Sequence, residues 1–163
     1  MTSASHPVFA YGSNLDPQRL GDRAPDWDGT SQRAYLPEHE LRFHKRSERY
    51  RVAANVVPHP TRSVWGAVVD LSDRDLIRMD GFEGCDRDPP GYYRRLVKVK
   101  LGDRGWQDVF IYTANPIWIV EGRLPAPDYV QHVLRGARWH DLPSAYIGHL
   151  ESTSVADITS ERL

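Results

Sequence analysis

The chain has 163 residues, close to the usual length of one domain, and is long enough to bury a sizeable core. Charged residues make up 26% of it, and the acidic and basic side chains nearly cancel to a net charge of -1. This balance provides no global field that would attract nucleic acid or an anionic membrane, so it favours a small-molecule ligand.

The first third of the chain is predicted to consist mainly of strands. Pro7 to Tyr11 is a short apolar run typical of a buried strand, and Gly12-Ser13-Asn14 predicts a turn after it. Asp16 before Pro17 has the pattern of a helix N-cap, and Gly21 is expected to end that short helix. Further strands are expected at Gln32 to Leu36, Glu40 to His44, Arg51 to Val57 and Val64 to Leu71. Pro58 and Pro60 are expected to end the third of these strands.

A helix and an irregular segment are predicted in the middle of the chain. Ser72, followed three residues later by Asp75, indicates a helix start in the manner of a capping box. This helix is expected to end near Met79. The segment Asp80 to Gly91 contains three glycines and two prolines, so we predict that it is irregular.

The remaining elements are a hairpin and two helices. The predicted strands are Tyr93 to Leu101 and Trp106 to Thr113, and the predicted helices are Asp128 to Arg138 and a second that begins at Pro143 and includes Tyr146 to Leu150. Regular alternation of strands and helices is missing, which favours an α+β fold with a small mixed or closed sheet. We predict one domain over residues 1–152, followed by a flexible tail at 153–163.

Cysteine content and hydropathy bear on the cellular compartment. Cys85 is the only cysteine, so an internal disulfide is impossible and nothing calls for an oxidising compartment. Met1 to His6 is short and polar, without the apolar region of a signal peptide. No apolar run approaches the ~20 residues needed to span a bilayer. We therefore expect a cytoplasmic protein, and leave open whether it forms a homodimer.

The first candidate for chemistry is the segment from Phe9 to Leu15, where a strand runs into a Gly-Ser-Asn turn at a helix start. Successive free backbone N–H groups in such a turn can bind a carboxylate or an oxyanion, and the positive end of the helix dipole assists them. A turn of this composition is also common without any ligand. The motif alone leaves both interpretations open.

The second candidate is Glu83, which lies between apolar Phe82 and flexible Gly84. A carboxyl group against an apolar wall has a raised pKa, which is the condition for a general base at neutral pH. Asp80, just before it, is expected to cap or brace the loop. The competing interpretation of Glu83 is a solvated loop carboxylate.

A thiol or a metal would imply different chemistry. Cys85 lies two residues from Glu83, but a thiol nucleophile needs a base, and neither His59 nor His140 is tied to it locally. The seven histidines show no metal-ligand spacing, so we expect no metal site.

Two basic segments also have competing interpretations. Residues 42–51 carry five basic and two aromatic side chains, which is compatible with a nucleic-acid surface, but nearby glutamates favour a solvated face. Arg94 and Arg95 could bind an anionic substrate or could be charges at a sheet edge.

Read together, four segments resemble the γ-glutamylcyclotransferase family, which includes γ-glutamyl-amine and antibiotic-pathway members. They are Phe-Ala-Tyr-Gly-Ser-Asn-Leu at 9–15, Met-Asp-Gly-Phe-Glu-Gly at 79–84, Gly-Tyr-Tyr-Arg-Arg at 91–95, and Gly-Ala-Arg with Leu-Pro-Ser-Ala-Tyr at 136–146. The resemblance spans Val8 to Leu150. It implies an α+β fold around a small mixed β-barrel flanked by helices.

The resemblance also implies the roles of individual residues. Glu83 would be the catalytic acid and base. The residues implied to contact the γ-glutamyl substrate are Val8, Phe9, Ala10, Tyr11, Gly12, Ser13, Asn14, Tyr146 and, as a weaker candidate for the cavity wall, Tyr93.

The implied reaction is attack of the substrate's α-amine on its own γ-carbonyl, which gives 5-oxoproline and a free amine without a cofactor. The segment 85–90 is longer and more polar than the family pattern leads us to expect, which leaves the leaving amine open. Two alternatives remain: a non-catalytic protein that binds a γ-glutamyl or acidic metabolite, and an enzyme that removes a γ-glutamyl protecting group from a biosynthetic intermediate.

Overall fold

The computed structural model describes residues 4–157, and a closed five-stranded barrel forms its centre. The strands are β1 (Ser5–Ala10), β2 (Gln32–Ser47), β3 (Arg51–Ser72), β4 (Tyr92–Lys100) and β5 (Trp106–Ala114). Around the barrel their order is β1-β3-β2-β4-β5. Neighbours are antiparallel except β1 and β5, which pair in parallel, so the predicted mixed barrel is confirmed.

Four α-helices complete the α+β fold, as the sequence predicts: α1 (Pro17–Arg23), α2 (Asp73–Phe82), α3 (Pro127–Trp139) and α4 (Ser144–Glu151). The two predicted N-caps are present. The Asp16 carboxylate accepts a hydrogen bond from Gln18 N at 3.1 Å, and the Ser72 hydroxyl accepts one from Asp75 N at 3.1 Å. Each cap satisfies a backbone donor that the first helical turn would leave unpaired.

Several predicted boundaries were wrong. β2 and β3 are each continuous where the sequence suggested two strands, and β3 runs through Pro58 and Pro60. The pairing of β2 with β3 shifts register between Pro37 and His39, so the missing proline N–H groups fall at an irregularity of the ladder.

Both early helices are longer than predicted. α1 continues past Gly21 to Arg23, and α2 continues past Met79 to Phe82. The segment predicted to be irregular from residue 80 therefore begins with the last turn of a helix, and Glu83 is the C-cap of α2.

The core has two parts. One lies among the barrel strands and α3, where Phe9, Val64, Val99 and Ile111 are almost fully buried. The other contains Leu20 of α1 and residues of α2 and β3. Burying one such aliphatic or aromatic side chain stabilises the fold by roughly 1.5–3 kcal/mol. The first part anchors β1 and the second anchors α1, so the turn between these two elements is fixed at both ends.

The chain beyond α4 contacts the rest of the fold. Ala156 is buried, and its N–H donates to Pro125 O at 2.9 Å. The first part of the predicted tail therefore contacts the fold, and its last part, 158–163, lies outside the described residues. Within residues 4–157, none of the helices has the length and apolar character required to cross a membrane.

Candidate active site

A cavity of about 510 Å³ lies beside β1 and the turn that follows it. Further walls come from α1, the C-terminal end of α2, the tip of the β2–β3 ribbon and the loop before β4. The structure brings most of the predicted site residues together here: Val8, Phe9, Ala10, Tyr11, Gly12, Ser13, Asn14 and Glu83.

The turn after β1 is a 3-10 helix, Ser13–Leu15, in which Leu15 N donates to Gly12 O at 3.0 Å. The N–H groups of Ser13 and Asn14 precede this first donor, so the turn itself supplies them with no acceptor. A Cβ at Gly12 would lie 3.1 Å from Ala54 Cβ and 3.2 Å from the Tyr129 hydroxyl. A side chain at position 12 would therefore press on β3 and α3, so glycine favours the close approach of the turn to both elements.

Helix α3 fixes the turn from behind. A Cβ at Gly136 would lie only 2.1 Å from the backbone carbon of Leu15, so this helix packs directly on the turn's main chain. The His140 ring contributes a hydrogen bond between Nε2 and Leu15 O at 2.9 Å. Asp16, which is 1% exposed, pairs with Arg135 of α3 at 2.9 Å. The turn is thus held in place without the aid of a ligand.

Glu83 points its carboxyl group into this cavity from the end of α2. Its Oε1 accepts a hydrogen bond from Asn14 Nδ2 at 2.8 Å and lies 3.7 Å from Arg23 Nη1, and its side chain is 15% exposed. Arg23 Nη1 also donates to Asn14 Oδ1 at 3.1 Å. The two strongest sequence candidates, the turn and Glu83, are therefore joined through a single amide side chain.

Burial raises the pKa of Glu83, while Arg23, the Asn14 hydrogen bond, Arg19 and Lys45 act in the opposite direction. The net effect is a pKa above the ordinary value of 4.5. A carboxyl group with a raised pKa is a better proton acceptor than an ordinary glutamate, which suits it to accept a proton and return it. The solvated-loop interpretation of Glu83 does not fit this environment.

Tyr11, Tyr92 and Tyr129 are three of the five buried tyrosines that line the cavity, with Tyr50 and Tyr112, and the sequence identified only Tyr11 as a site residue. The hydroxyl of Tyr92 donates to Ala54 O at 2.7 Å, and that of Tyr129 accepts from Ala54 N at 2.9 Å. Burial raises the pKa of all three phenols, so they remain neutral near pH 7 and contribute a polar wall rather than a base.

Three half-buried cations, Arg19, Arg23 and Lys45, also line the cavity, and sequence reasoning did not assign them to the site. Arg19 Nη1 donates to the Tyr50 hydroxyl at 3.0 Å. Lys45 Nζ lies 5.1 Å from the centre of the Tyr92 ring. The cavity is therefore suited to an anionic ligand.

Tyr93 and Tyr146 do not line this cavity, so the structure does not bring these two predicted site residues together with Glu83. Tyr93 is 36% exposed, with the Arg95 guanidinium over its ring, because adjacent strand residues point to opposite faces. Tyr146 lines a second, smaller cavity of about 420 Å³ with Glu40, Arg62 and His149.

Asp80, Cys85 and Arg94 do not line the cavity either. Asp80 accepts a hydrogen bond from the Tyr112 hydroxyl at 2.7 Å and lies 3.4 Å from Arg94 Nε, so it braces α2 against the hairpin. Burial raises the pKa of the Cys85 thiol to about 12, which opposes a nucleophilic thiolate. Within residues 4–157 we find no cluster of three His, Cys, Asp or Glu side chains that could hold a metal.

The family model described as "Gamma-glutamyl cyclotransferase, AIG2-like" matches residues 8–141. A solved structure of a gamma-glutamyl cyclotransferase is 26% identical, covers 94% of this chain and 90% of its own, and superposes with a TM-score of 0.84. An uncharacterized protein from Homo sapiens, loc79017, is also 26% identical, with the same coverage of 94% and 90% and a TM-score of 0.82.

A yeast gamma-glutamyl cyclotransferase specific to glutathione is only 12% identical, but covers 91% of this chain and 94% of its own with a TM-score of 0.65. At that identity the likeness is one of fold alone. No curated protein matches the chain significantly.

Proposed function

The chain belongs to the gamma-glutamyl cyclotransferase family of AIG2-like proteins, and we propose that it converts a γ-glutamyl amide into 5-oxoproline and a free amine. The observation that carries this proposal is the position of Glu83. It is a largely buried carboxyl group with a raised pKa that accepts a hydrogen bond at 2.8 Å from the Asn14 amide in the turn after β1. The gamma-glutamyl cyclotransferase that superposes over 94% of this chain supports the reaction class.

The substrate carries its own nucleophile. Its α-amine attacks the γ-carbonyl carbon, a C–N bond forms to close a five-membered ring, and the original amide C–N bond breaks to release the amine. In this scheme the α-ammonium first loses one proton to solvent and becomes the nucleophilic amine. Glu83 then accepts the second proton, which the ring nitrogen loses on closure, and donates it to the departing nitrogen; the released amine regains the first proton from solvent. Proton transfer by a well-placed group typically accelerates a reaction on the order of a hundred- to ten-thousandfold.

The turn after β1 would hold the γ-glutamyl part in its folded-back shape. Ser13 N–H and Asn14 N–H are available for either the α-carboxylate or the developing oxyanion, and a single oxyanion donor is typically worth about 3–4 kcal/mol. Holding amine and carbonyl in contact can contribute a further ~7–11 kcal/mol, because a free chain rarely adopts that geometry. The rigidity that α3 gives the turn supports this role.

The buried tyrosines would limit competing reactions. Tyr11, Tyr92 and Tyr129 remain neutral and direct their hydroxyl groups to fixed partners. A wall of neutral hydroxyl groups supplies no base that could activate a water molecule beside the carbonyl, which favours ring closure over hydrolysis. Glu83 is then the carboxyl group that faces the reacting atoms from the inner part of the cavity.

The test is a panel of γ-glutamyl amino acids, γ-glutamyl amines and glutathione, with 5-oxoproline followed by mass spectrometry. Wild type is compared with Glu83→Gln, which preserves shape but cannot accept the proton, and with Glu151→Gln, a control at an exposed position on α4. We expect 5-oxoproline from wild type and the control, and a loss of roughly a hundredfold or more in Glu83→Gln.

Two outcomes would contradict the proposal. Full activity in Glu83→Gln would exclude the proton-transfer role. Binding of γ-glutamyl compounds without any 5-oxoproline across the panel would favour the alternative of a non-catalytic binding protein.

A further inference from the structure

We propose that His44 and Asn55 are positioning residues for the cavity wall formed by Tyr92 and the loop before β4, and that they hold this wall only while His44 is uncharged. The two side chains lie behind the wall and do not line the cavity themselves. The inference goes beyond the proposed reaction, because it concerns how one wall is held. Only its effect on turnover rests on the proposed function.

Asn55 joins two strands that are not neighbours in the barrel. It lies on β3 and is 5% exposed, and its Oδ1 accepts a hydrogen bond at 2.9 Å from Ala114 N at the end of β5. β3 pairs with β1 and β2, whereas β5 pairs with β4 and β1. Among the described strands, no ladder of backbone hydrogen bonds therefore connects β3 to β5, and the Asn55 side chain supplies the link.

The bond to Ala114 also fixes the orientation of Asn55, and with it the proton on His44. A backbone N–H can only donate, so the amide oxygen of Asn55 faces Ala114 and the amide nitrogen faces His44. Asn55 Nδ2 and His44 Nε2 are 3.0 Å apart, and Nε2 accepts this hydrogen bond only when it carries no proton. His44 is therefore neutral, with its proton on Nδ1, which lies 3.6 Å from Glu121 Oε1.

Protonation of His44 is incompatible with this arrangement. Nε2 would become a donor that faces the Asn55 amide nitrogen, which is also a donor. Turning the amide would offer its oxygen to His44 but would place its NH2 group against Ala114 N–H. Asn55 thus cannot satisfy both partners, and because His44 and Ala114 are only 6% and 7% exposed, either choice leaves a buried donor unpaired.

The surroundings of His44 favour its neutral form. Arg42 and Glu40 face the ring from β2, its own strand, Glu121 faces it from the segment after β5, and the contact from β3 is the uncharged Asn55 amide. Burial and then Arg42 lower the pKa of His44 below its ordinary value of 6.5, against the opposing effects of Glu121 and Glu40. Solvent screens Glu121, which is 67% exposed. The link is therefore formed at neutral pH and opens in mildly acidic solution.

Two connections carry this link to the cavity. On β3, the residue before Asn55 is Ala54, whose carbonyl oxygen accepts the Tyr92 hydroxyl at 2.7 Å. On β5, Ala114 pairs with Tyr92, and the next residue, Asn115, donates its N–H to Gly91 O at 3.0 Å. Tyr92 is thus held by both of the strands that Asn55 joins, and opening of the link removes the common support of Tyr92 and the loop before it.

The first measurement follows the His44 imidazole by 15N NMR in wild type and in Asn55→Asp from pH 5 to 9. We expect the wild-type ring to carry its proton on Nδ1 at pH 8 and to titrate below pH 6.5. The carboxylate of Asn55→Asp can accept from both Ala114 N–H and a charged His44. It should therefore raise the titration midpoint of His44 by about one pH unit or more, as an adjacent opposite charge does.

Hydrogen exchange of the Ala114 amide reports the link itself. In wild type, its protection factor should fall as pH drops below 6.5, by roughly tenfold for each pH unit that separates the His44 midpoint from 6.5. In Asn55→Asp the sign reverses, and protection is lost as pH rises through the raised midpoint. In His44→Gln, whose amide oxygen accepts at any pH, protection should not follow pH. The control His149→Gln, at an exposed position on α4, should behave as wild type.

Turnover tests the effect on the cavity, with the substrate from the panel above that wild type converts fastest. Dividing kcat/KM of His44→Gln by that of wild type cancels the titration of Glu83, which both proteins share. We expect this ratio to be near one at pH 8 and to rise as pH falls below 6.5, because only wild type loses the link. His44→Leu has no acceptor, so at pH 8 it should already show the low Ala114 protection that wild type shows in acid.

A wild-type midpoint at or above pH 6.5, a proton on Nε2 at pH 8, or the same pH dependence of Ala114 protection in wild type and His44→Gln would overturn the proposal. A flat activity ratio while Ala114 opens would overturn the positioning role. The NMR and exchange measurements need no turnover, so they separate this inference from the proposed reaction. If they agree with expectation but no 5-oxoproline forms, the pair is supported and the reaction fails; if 5-oxoproline forms but Ala114 protection ignores His44, the reverse holds.

Discussion

The two cavities of this protein differ in how their charges are compensated. In the smaller one, which contains Tyr146, Glu40 lies 3.3 Å from Arg62 and 3.8 Å from Arg42, so its carboxylate is paired on two sides. In the larger one, Glu83 has one cation at 3.7 Å and a raised pKa, and additional cations remain for a ligand. Uncompensated charge, rather than volume, distinguishes the candidate active site.

The difference also explains why neighbouring family motifs have unlike roles. The segment around Gly136 acts on the larger cavity from outside, since it carries α3 onto the turn after β1. Tyr146 follows ten residues later but belongs to α4, which packs against the barrel core and the smaller cavity. Sequence resemblance therefore groups residues that support the larger cavity with residues that lie away from it.

The largest expected effect comes from breaking the support of the turn with Gly136→Ala. The new Cβ would lie 2.1 Å from the Leu15 backbone carbon, so α3 must move away from the turn. We expect a destabilisation of about 3 kcal/mol, at the upper end of overpacking costs, and a fall in Tm of roughly 6–12 °C. Thermal unfolding followed by circular dichroism measures it.

Gly148→Ala in α4 is the matched control, because a Cβ there meets nothing within 4 Å. Replacing a helical glycine by alanine at an open position should stabilise the protein by about 0.5–1 kcal/mol. Equal Tm values for the two variants would show that α3 can shift without cost and that the turn does not depend on it.

The next effect tests how Glu83 is tuned. Arg23 is the largest influence that lowers the pKa of this carboxyl group against burial, so Arg23→Gln should raise that pKa further. In a plot of kcat/KM against pH, the rise on the acidic side should move to higher pH. At a fixed pH on that rise, kcat/KM should fall roughly tenfold for each pH unit of the shift. Activity measured from pH 5 to 9 tests this, with Arg95→Gln on the outer face of β4 as control.

An unchanged rise on the acidic side in Arg23→Gln, or the same displacement in Arg95→Gln, would contradict the assignment. The first result would mean that another group titrates in the profile. The second would mean that the protein's total charge, rather than the Arg23–Glu83 pair at 3.7 Å, sets the pKa of Glu83.

Much of the local structure could be predicted from the sequence. Asp16 and Ser72 were identified as N-caps from their spacing to proline and to Asp75, and both caps form. Capping and the alternation of side chains are local properties, so a single chain carries enough information to find them. The joining of Glu83 to the turn became a clear expectation only when the two motifs were read together as a family pattern.

The parts that were missed depend on long-range geometry. Tyr92 rather than Tyr93 faces the cavity, and a one-residue difference in a strand moves a side chain to the opposite face. Lys45 reaches Gly91 because β2 and β3 form a long ribbon that continues to the cavity, whereas its sequence neighbours indicated a solvated basic surface. Neither the direction of a ribbon nor its partners can be derived from local pattern.

A smaller effect is expected in the stability of Glu83→Gln. A folded-state pKa above the unfolded value means that the stability contributed by the neutral acid is complete below about pH 4.5 and is lost as pH rises through the folded-state pKa. Wild type should therefore lose stability relative to Glu83→Gln across that interval, by about 1.4 kcal/mol for each pH unit that separates the folded-state and unfolded-state pKa values.

Urea unfolding at several pH values measures the difference, with Glu151→Gln at an exposed carboxylate as control. If wild type instead gained stability relative to Glu83→Gln as pH rises, Arg23 and Asn14 would outweigh burial. The pKa of Glu83 would then lie below its ordinary value.

The smallest effect is expected for Tyr146→Phe, and it tests the comparison of the two cavities most directly. Removing this hydroxyl leaves the ring packed on the barrel core and changes nothing among the residues that surround Glu83. We expect kcat/KM to stay within about twofold of wild type, the range typical of a residue without transition-state contact. Tyr92→Phe is the matched variant, because its hydroxyl lies in the larger cavity and donates to Ala54 O at 2.7 Å.

Loss of that hydrogen bond should cost about 1 kcal/mol in stability and several-fold in activity, since Ala54 also contacts the Tyr129 hydroxyl at 2.9 Å. A larger loss in Tyr146→Phe than in Tyr92→Phe would reverse the order of the two cavities. It would mean that Tyr146 acts on the larger cavity although it does not line it.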